Sequence, residues 1–354
     1  MKTAGQGTDT TLRSIRRRAV DASGEGLVDR SVMHPEQGLP LVFTPRAAGV
    51  QLVEWIDGHR DELQALLLQH GALLFRGFEI AGSDAFERCI VAGSGASLEY
   101  KFRASPRTTV GGNIYTSTDY PHDQTIFPHN EHSYSPVYPL HLYFYCETPS
   151  PTGGATPLGS TRRITRRVPQ AIAEKFVDKG ILYVRNYGDG FGLPWPTVFQ
   201  TEDRAEVERY CESVGIEPVW KPGNRLMTRQ VGPAMVDHPQ TGEPLWFNHG
   251  TFFHVTTLPD AVQSELTRQF SSQDLPQNTF YGDGSEIEAD TLEQLRAIYR
   301  DEMTAFLWQR GDVVWLDNML TVHGRHPFTG PRRVLTGMAQ AQTAARRDNA
   351  VAGH

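Results

Sequence analysis

The sequence predicts an α+β, β-rich fold, with a strand-dense centre, flanking helices and a large helical insertion at about 162–300. Three observations predict it. Helical periodicity vanishes over residues 96–160, where Pro, Gly, Thr and aromatic residues dominate. Apolar runs such as Leu140–Cys146 end in turn clusters such as Pro149–Gly154. Gly and Pro are abundant, 33 and 23 residues, which suits a fold with many turns better than a helical bundle.

Taken in order, residues 1–38 are polar, Gly-rich and without period, and are expected to form a flexible leader. Arg16, Arg17 and Arg18 belong to that leader, where nearby Asp9, Asp21 and Glu25 argue against a transit peptide. Leu52, Ile56, Leu63, Leu66 and Leu67 mark a helix closed by Gly71, and Ala72–Phe75 reads as a buried strand. Ser83 is placed to cap the next helix, with Asp84 and Glu87 in its first turn. Helical patterns return at 162–178, 201–214, 260–270 and 290–299, with strand-like pieces at 217–220, 225–230 and 245–248 between them. Met303–Trp308 and Val313–Leu316 read as two strands joined by a tight hairpin at Gln309–Asp312. Val334–Gln342 is a last strand, and residues 343–354 are expected to form a tail. The expected organisation is therefore one domain over 39–342.

The chain has 354 residues, 39% hydrophobic and 21% charged, enough to bury a substantial core. A net charge of −7 argues against a nucleic-acid partner, which asks for a basic face. Cys89, Cys146 and Cys211 show no paired spacing and are expected to be reduced thiols in a cytoplasmic protein. No apolar run reaches the ~18–20 residues of a membrane helix, and no apolar signal core stands at the N-terminus.

The chemistry concentrates in three segments. In Phe127-Pro128-His129-Asn130-Glu131-His132, an extended backbone would aim His129 and Glu131 at one face. His323 follows the buried-looking strand that ends in Asp317-Asn318. Two imidazoles and one carboxylate leave three positions of an octahedron open, which is the facial arrangement of non-haem iron(II) oxygenases. The same donor set also serves hydrolytic zinc, but the helical His-Glu-x-x-His pattern is absent. Arg333, ten residues after His323, can grip a carboxylate in bidentate fashion, and Thr156 offers a hydroxyl to the same group. Arg332 is expected to point the other way. Tyr115, Gln124, His249 and Arg325 are candidate substrate contacts, each with a packing or turn role as the alternative. His122, His132 and His326 are expected beside the site rather than on the metal.

These residues resemble a known family. His129-x-Glu131, Gly153-Gly154-x-Thr156 and Asp317-Asn318…His323-Gly324-Arg325…Phe328-x-Gly330-x-Arg332-Arg333 are similar to the taurine dioxygenase/clavaminate synthase-like (TauD/TfdA) superfamily. Leu73–Phe78 and Phe280–Gly284 resemble its subgroup that tailors amino acids in natural-product pathways, and the resemblance spans about 39–342. It implies a double-stranded β-helix (jelly-roll, cupin-like) core, Fe(II) on His129, Glu131 and His323, and 2-oxoglutarate at Thr156 and Arg333. It also implies O2 as cosubstrate, with no separate acid or base. The implied substrate is an amino acid or amino-acid derivative, free or carrier-bound, hydroxylated at an unactivated C–H. Desaturation, epoxidation or cyclisation by the same oxidant stays open, as does a non-catalytic jelly-roll binding protein. Halogenating relatives carry Gly or Ala where this chain has Glu131, so halogenation is not expected. Gly337 stands where sulfonate-binding relatives carry Arg, so a sulfonate substrate is not expected either.

Overall fold

Strands that are apolar at both parities need cover on both faces. Val137–Thr148, the longest strand, is such a case, and it lies inside the largest sheet of a computed structural model. The structure describes residues 26–99, 108–117, 120–188 and 193–343.

The chain begins with an antiparallel pair, Val28–Val32 (β1) and Leu41–Pro45 (β2). Helices Leu52–Gly58 (α1) and Arg60–His70 (α2), strand Ala72–Phe75 (β3) and helix Gly82–Ser94 (α3) follow. Next come Thr109–Gly111 (β4), Ile114–Thr116 (β5), Ile126–His129 (β6), Val137–Thr148 (β7), Thr152–Gly153 (β8) and Thr156–Ser160 (β9). The inserted segment carries helices Thr161–Arg167 (α4) and Gln170–Lys179 (α5), strand Ile181–Tyr187 (β10), and helices Trp195–Phe199 (α6) and Arg204–Ser213 (α7). It continues through Glu217–Lys221 (β11), Arg225–Gly232 (β12), Met235–Asp237 (β13), Pro244–Trp246 (β14), Asp260–Gln269 (α8), Gln277–Tyr281 (β15) and Ala289–Glu302 (α9). Thr304–Phe306 (β16), Val313–Asp317 (β17), Thr321–Arg325 (β18), Phe328–Thr329 (β19) and Arg333–Thr343 (β20) complete it.

Eight strands make the major sheet, in the order β1-β2-β3-β17-β7-β20-β5-β4, and a minor sheet runs β16-β9-β18-β6. The major sheet's inner face (Leu74, Leu142, Phe144, Val314, Leu316, Val334, Met338) packs against Leu158, Phe306 and Trp308 of the minor-sheet side. Its outer face (Phe75, Tyr143, Tyr145, Trp315, Leu335) packs on α1, α2 and α3 through Trp55, Ile56, Leu63, Phe86 and Ile90. Trp315 stacks on Tyr143 at 5.1 Å, and a Cβ on Gly93 of α3 would run into both side chains. Each such buried side chain contributes about 1.5–3 kcal/mol of transfer free energy. The two facing sheets form the jelly-roll core.

Several expectations change. Residues 28–32, read as part of the leader, form β1, paired to β2 over five residue pairs, while the rest of that reading before residue 26 and the expected tail after residue 343 lie outside the described residues. The single helix expected over 52–69 is two helices that meet at His59. Ser83 does not cap α3, which starts at Gly82 after Ala81 and has no side-chain cap. The segment 162–300 is not chiefly helical: it builds its own antiparallel sheet, β11-β12-β10-β15. Its core of Phe176, Ile181, Tyr183, Trp246, Tyr281 and Tyr299 also takes in Tyr134 and Val322. Strands β16 and β17 do not form a hairpin, since β16 pairs β9 in one sheet while β17 pairs β3 and β7 in the other. The Gln309–Asp312 turn passes the chain between sheets, and Arg76 anchors it by two bonds to the buried Asp312 carboxylate at 3.0 and 2.7 Å. The three cysteines are unpaired and buried. Among the described residues no helix is long and apolar enough to cross a membrane.

His141 on β7 is buried, 2.7 Å from Ser94 Oγ, and burial lowers its pKa from 6.5 to about 4. A histidine whose folded pKa lies below its unfolded value stabilises fully above the unfolded value and loses that contribution as pH falls. Between pH 6.5 and about 4, His141 should therefore remove about 3 kcal/mol of stability. Denaturant unfolding of His141→Gln across that range should show a correspondingly flatter decline.

Candidate metal centre

Antiparallel neighbours bring side chains on one face within about 5 Å. In the β6–β18 ladder His129 lies directly opposite His323, and their rings are 4.6 Å apart. Glu131 is not in the strand, as an extended reading would have it. β6 ends at His129, and Glu131 begins a turn in which His132 takes the left-handed φ of 57°. The turn still brings the carboxylate back: Glu131 Oε2 lies 3.8 Å from His129 Nε2 and 3.9 Å from His323 Nε2. The three donor atoms lie within 4.8 Å of one another, and both Glu131 and His323 are buried.

Buried amides hold this turn. Asn318 Oδ1 accepts from Glu131 N at 2.7 Å, and Asn318 Nδ2 donates to Glu131 O and Pro139 O, both at 2.8 Å. Asn130 Nδ2 donates to Asn318 O at 2.6 Å. His129 Nδ1 lies 2.9 Å from Phe127 O, which places its proton on Nδ1 and leaves the Nε2 lone pair for a metal. Phe252, from the inserted segment, stacks on the His129 ring at 4.5 Å.

The triad lines a cleft with Thr156, Trp308, Phe144, Val334, Arg325 and Arg332. Thr156 Oγ1 accepts from the Trp308 indole N–H at 2.8 Å, so its own proton is free to donate into the cleft. Burial and the neighbouring Arg325 charge lower the Arg332 pKa to about 10, which leaves the guanidinium charged at neutral pH. Both guanidinium groups lie against the Phe328 ring, Arg325 at 5.1 Å and Arg332 at 5.5 Å from its centroid.

Arg333 is not in the cleft. Its side chain is 53% exposed and pairs with Glu147 at 2.8 Å. Val334 faces the interior, and the ladder slips between Arg333 and Val334, so stepping back along the chain leaves Arg333 outside and Arg332 inside. Gly337 also faces away from the cleft, because a Cβ there would collide with Ile90 of α3. It therefore says nothing about sulfonates.

Of the candidate substrate contacts, Arg325 lines the cleft; its terminal nitrogens donate to the backbone carbonyls of Tyr120, Pro121 and Gln124, and its buried Nε has no partner among the described residues. Gln124 takes part through that carbonyl and does not line the cleft. Tyr115 is buried in the core between the sheets. His249 lies behind the His129 ring at 5.5 Å, with Nδ1 on Ser133 Oγ, and burial holds its pKa well below the ordinary value. His132 Nε2 lies 3.5 Å from Glu131 Oε1, while His122 is exposed beside Phe328. Trp308 and Phe252 carry no motif in the sequence. Trp308 shows there only as the end of a strand, and Phe252 only by lying between His249 and His254.

Residues 35–339 match the family described as "Taurine catabolism dioxygenase TauD, TfdA family". The chain belongs to this family. It is an iron(II)- and 2-oxoglutarate-dependent dioxygenase of that family. Among curated relatives it is 35% identical to the dapdiamide synthesis protein DdaC of Enterobacter agglomerans, over 84% of this chain and 90% of that one. It is 28% identical to a clavaminate synthase-like protein of Arabidopsis thaliana, over 85% and 93%. Among solved structures, PvcB of Pseudomonas aeruginosa has the same fold, with a TM-score of 0.53 at 17% identity over 90% of this chain and 92% of that one. A taurine dioxygenase of Burkholderia xenovorans also scores 0.53, at 14% identity over 90% and 91%.

Removing the Asn318 amide would strip partners from Glu131 N, Glu131 O and Pro139 O in a buried place. Each orphaned group costs about 1–3 kcal/mol. Asn318→Ala should therefore lose at least about 3 kcal/mol in urea unfolding of the metal-free chain, and a loss under 1 kcal/mol would contradict the bracket.

Proposed function

We propose that His129, Glu131 and His323 hold the iron of this TauD/TfdA dioxygenase, and that Arg332 with Thr156 anchors the distal carboxylate of 2-oxoglutarate. The reaction we assign is hydroxylation of an unactivated C–H bond in an amino acid or amino-acid derivative, free or carrier-bound. The observation that carries the metal assignment is the cross-strand pair His129–His323, with Glu131 Oε2 within 3.9 Å of both Nε2 atoms. Two neutral imidazoles and one carboxylate suit iron(II) and leave positions for exchangeable ligands.

When bound, iron and 2-oxoglutarate supply the oxidising power drawn from O2. The chain's own residues bind, orient and exclude water. The Phe127 carbonyl keeps His129 in the tautomer that offers Nε2. Arg332 offers a charged fork, and Thr156, steadied by Trp308, offers one O–H donor beside it. Phe144, Ile126 and Val334 supply apolar wall, which keeps competing water off the reacting centre. The names of the relatives, one for dapdiamide synthesis and one for likeness to clavaminate synthase, support a natural-product tailoring role. The same reading treats 39–342 as one oxygenase domain, since Tyr134 and Val322, neighbours of the triad, share a core with the inserted segment.

Omitting 2-oxoglutarate should abolish turnover, and succinate release in a panel of amino acids and their carrier-bound forms should identify the substrate. A product heavier by about 16 mass units reports oxygen insertion and one lighter by about 2 reports desaturation, with NMR separating hydroxylation from epoxidation. Loss of a charge-assisted bond costs about 1.5–3 kcal/mol, so Arg332→Met should raise the KM for 2-oxoglutarate about 10- to 100-fold. Arg333→Met should leave it within about twofold, as for an exposed ion pair. The opposite ranking would return the clamp to Arg333.

A further inference from the structure

A buried imidazole–carboxylate pair lies outside the cleft and has no part in the functions assigned so far. His238 Nε2 is 2.9 Å from Asp317 Oδ2, and both side chains are fully buried. His238 sits at the end of β13, and its main chain closes the turn to β14 through His238 N to Glu243 O and Gly242 N to His238 O. Its Nδ1 accepts from the backbone N–H groups of Gln240 and Thr241 at 3.3 and 3.2 Å. With Nδ1 accepting, the ring proton sits on Nε2 and points at Asp317.

Asp317 ends β17. Its other oxygen, Oδ1, accepts from Met319 N and Leu320 N, each at 2.9 Å, which shapes the turn into β18. That turn does two things for the metal centre. It presents the Asn318 amide that brackets the Glu131 peptide, and it launches the strand carrying His323. Tyr138, Val236, Leu245, Phe247, Met319 and Leu320 form one apolar cluster around it, so the hairpin and the turn pack as a unit.

We propose that His238 is a positioning residue for the metal centre, acting from the inserted segment through Asp317 and Asn318 on Glu131. This rests on the metal assignment above. A purely structural role would cost stability alone. A positioning role alters how the triad meets a metal, because the carboxylate's aim is set through the turn that His238 holds.

The test uses Co(II) as probe on the full-length metal-free chain, reading affinity and the visible ligand-field spectrum, with urea unfolding alongside. His238→Leu should weaken Co(II) binding about tenfold, the lower end of what outer partners of metal ligands contribute, and shift the spectrum. His238→Gln, whose amide can still donate toward Asp317, should recover most of both, and His238→Asn, whose shorter amide falls short of Asp317, carries the test if the Leu variant does not fold and should show the same weakening and shift. Arg162→Met is the control. It cuts the ion pair to Glu243 in the same hairpin, at 2.5 and 3.1 Å, without touching Asp317. It should lower stability and leave Co(II) affinity and spectrum unchanged. Unchanged Co(II) binding in His238→Leu, or in His238→Asn where the Leu variant does not fold, would overturn the inference, as would an equal loss in Arg162→Met. Failure of the wild-type chain to bind Co(II), or binding that survives His129→Ala, would instead overturn the metal assignment itself.

Discussion

The bracket that Asn318 places around the Glu131 peptide is the constraint on which the site depends. Strand pairing alone delivers the two imidazoles, because β6 and β18 are neighbours and His129 faces His323 in register. It does not deliver the carboxylate, since β6 has ended and Glu131 lies in a turn. A turn residue has no ladder to fix its direction, so its peptide must be held by side chains. Asn318 does so from both sides, and its own backbone bonds to Leu140 and Asn130 tie it to β7 and to the residue before Glu131.

The two sheets divide the remaining work. The minor sheet carries His129, Thr156 and His323, while the major sheet contributes Phe144 and Val334 as apolar wall. Arg332 enters just before β20, where the ladder slips by one residue. The desolvation that draws its pKa down also strengthens any bond it makes to a carboxylate, because the surrounding dielectric is low. Arg325 lies close enough to repel it, and its two terminal nitrogens are tied to carbonyls of the 120–124 segment, while its buried Nε has no partner among the described residues. Both guanidinium groups line the cleft, and Arg332 is the one proposed above to meet the distal carboxylate of 2-oxoglutarate.

The inserted segment is structurally continuous with the site. Its core includes Tyr134 and Val322, its Phe252 stacks on the His129 imidazole, and its His238 reaches the turn that launches β18. A segment with its own four-stranded sheet can be rigid where a loop of equal length could not, because facing backbone groups of neighbouring strands are paired within it.

The sequence by itself determined the β-rich class, the main strands and the three candidate metal-ligating residues, since these rest on local apolar patterning and on motif spacing. His129, Glu131, His323 and Thr156 were legible on those grounds and do converge on one cleft. The tertiary structure alone decided which of two adjacent arginines turns inward. Both parities of β20 are apolar (Val334 and Met338 on one face, Leu335 and Ala339 on the other), so alternation marks no inside until the sheets are packed. It also decided that the turn at 309–312 crosses between sheets, and that His238 and Trp308 matter. Those roles are contacts across 79 and 152 residues, which no local pattern records.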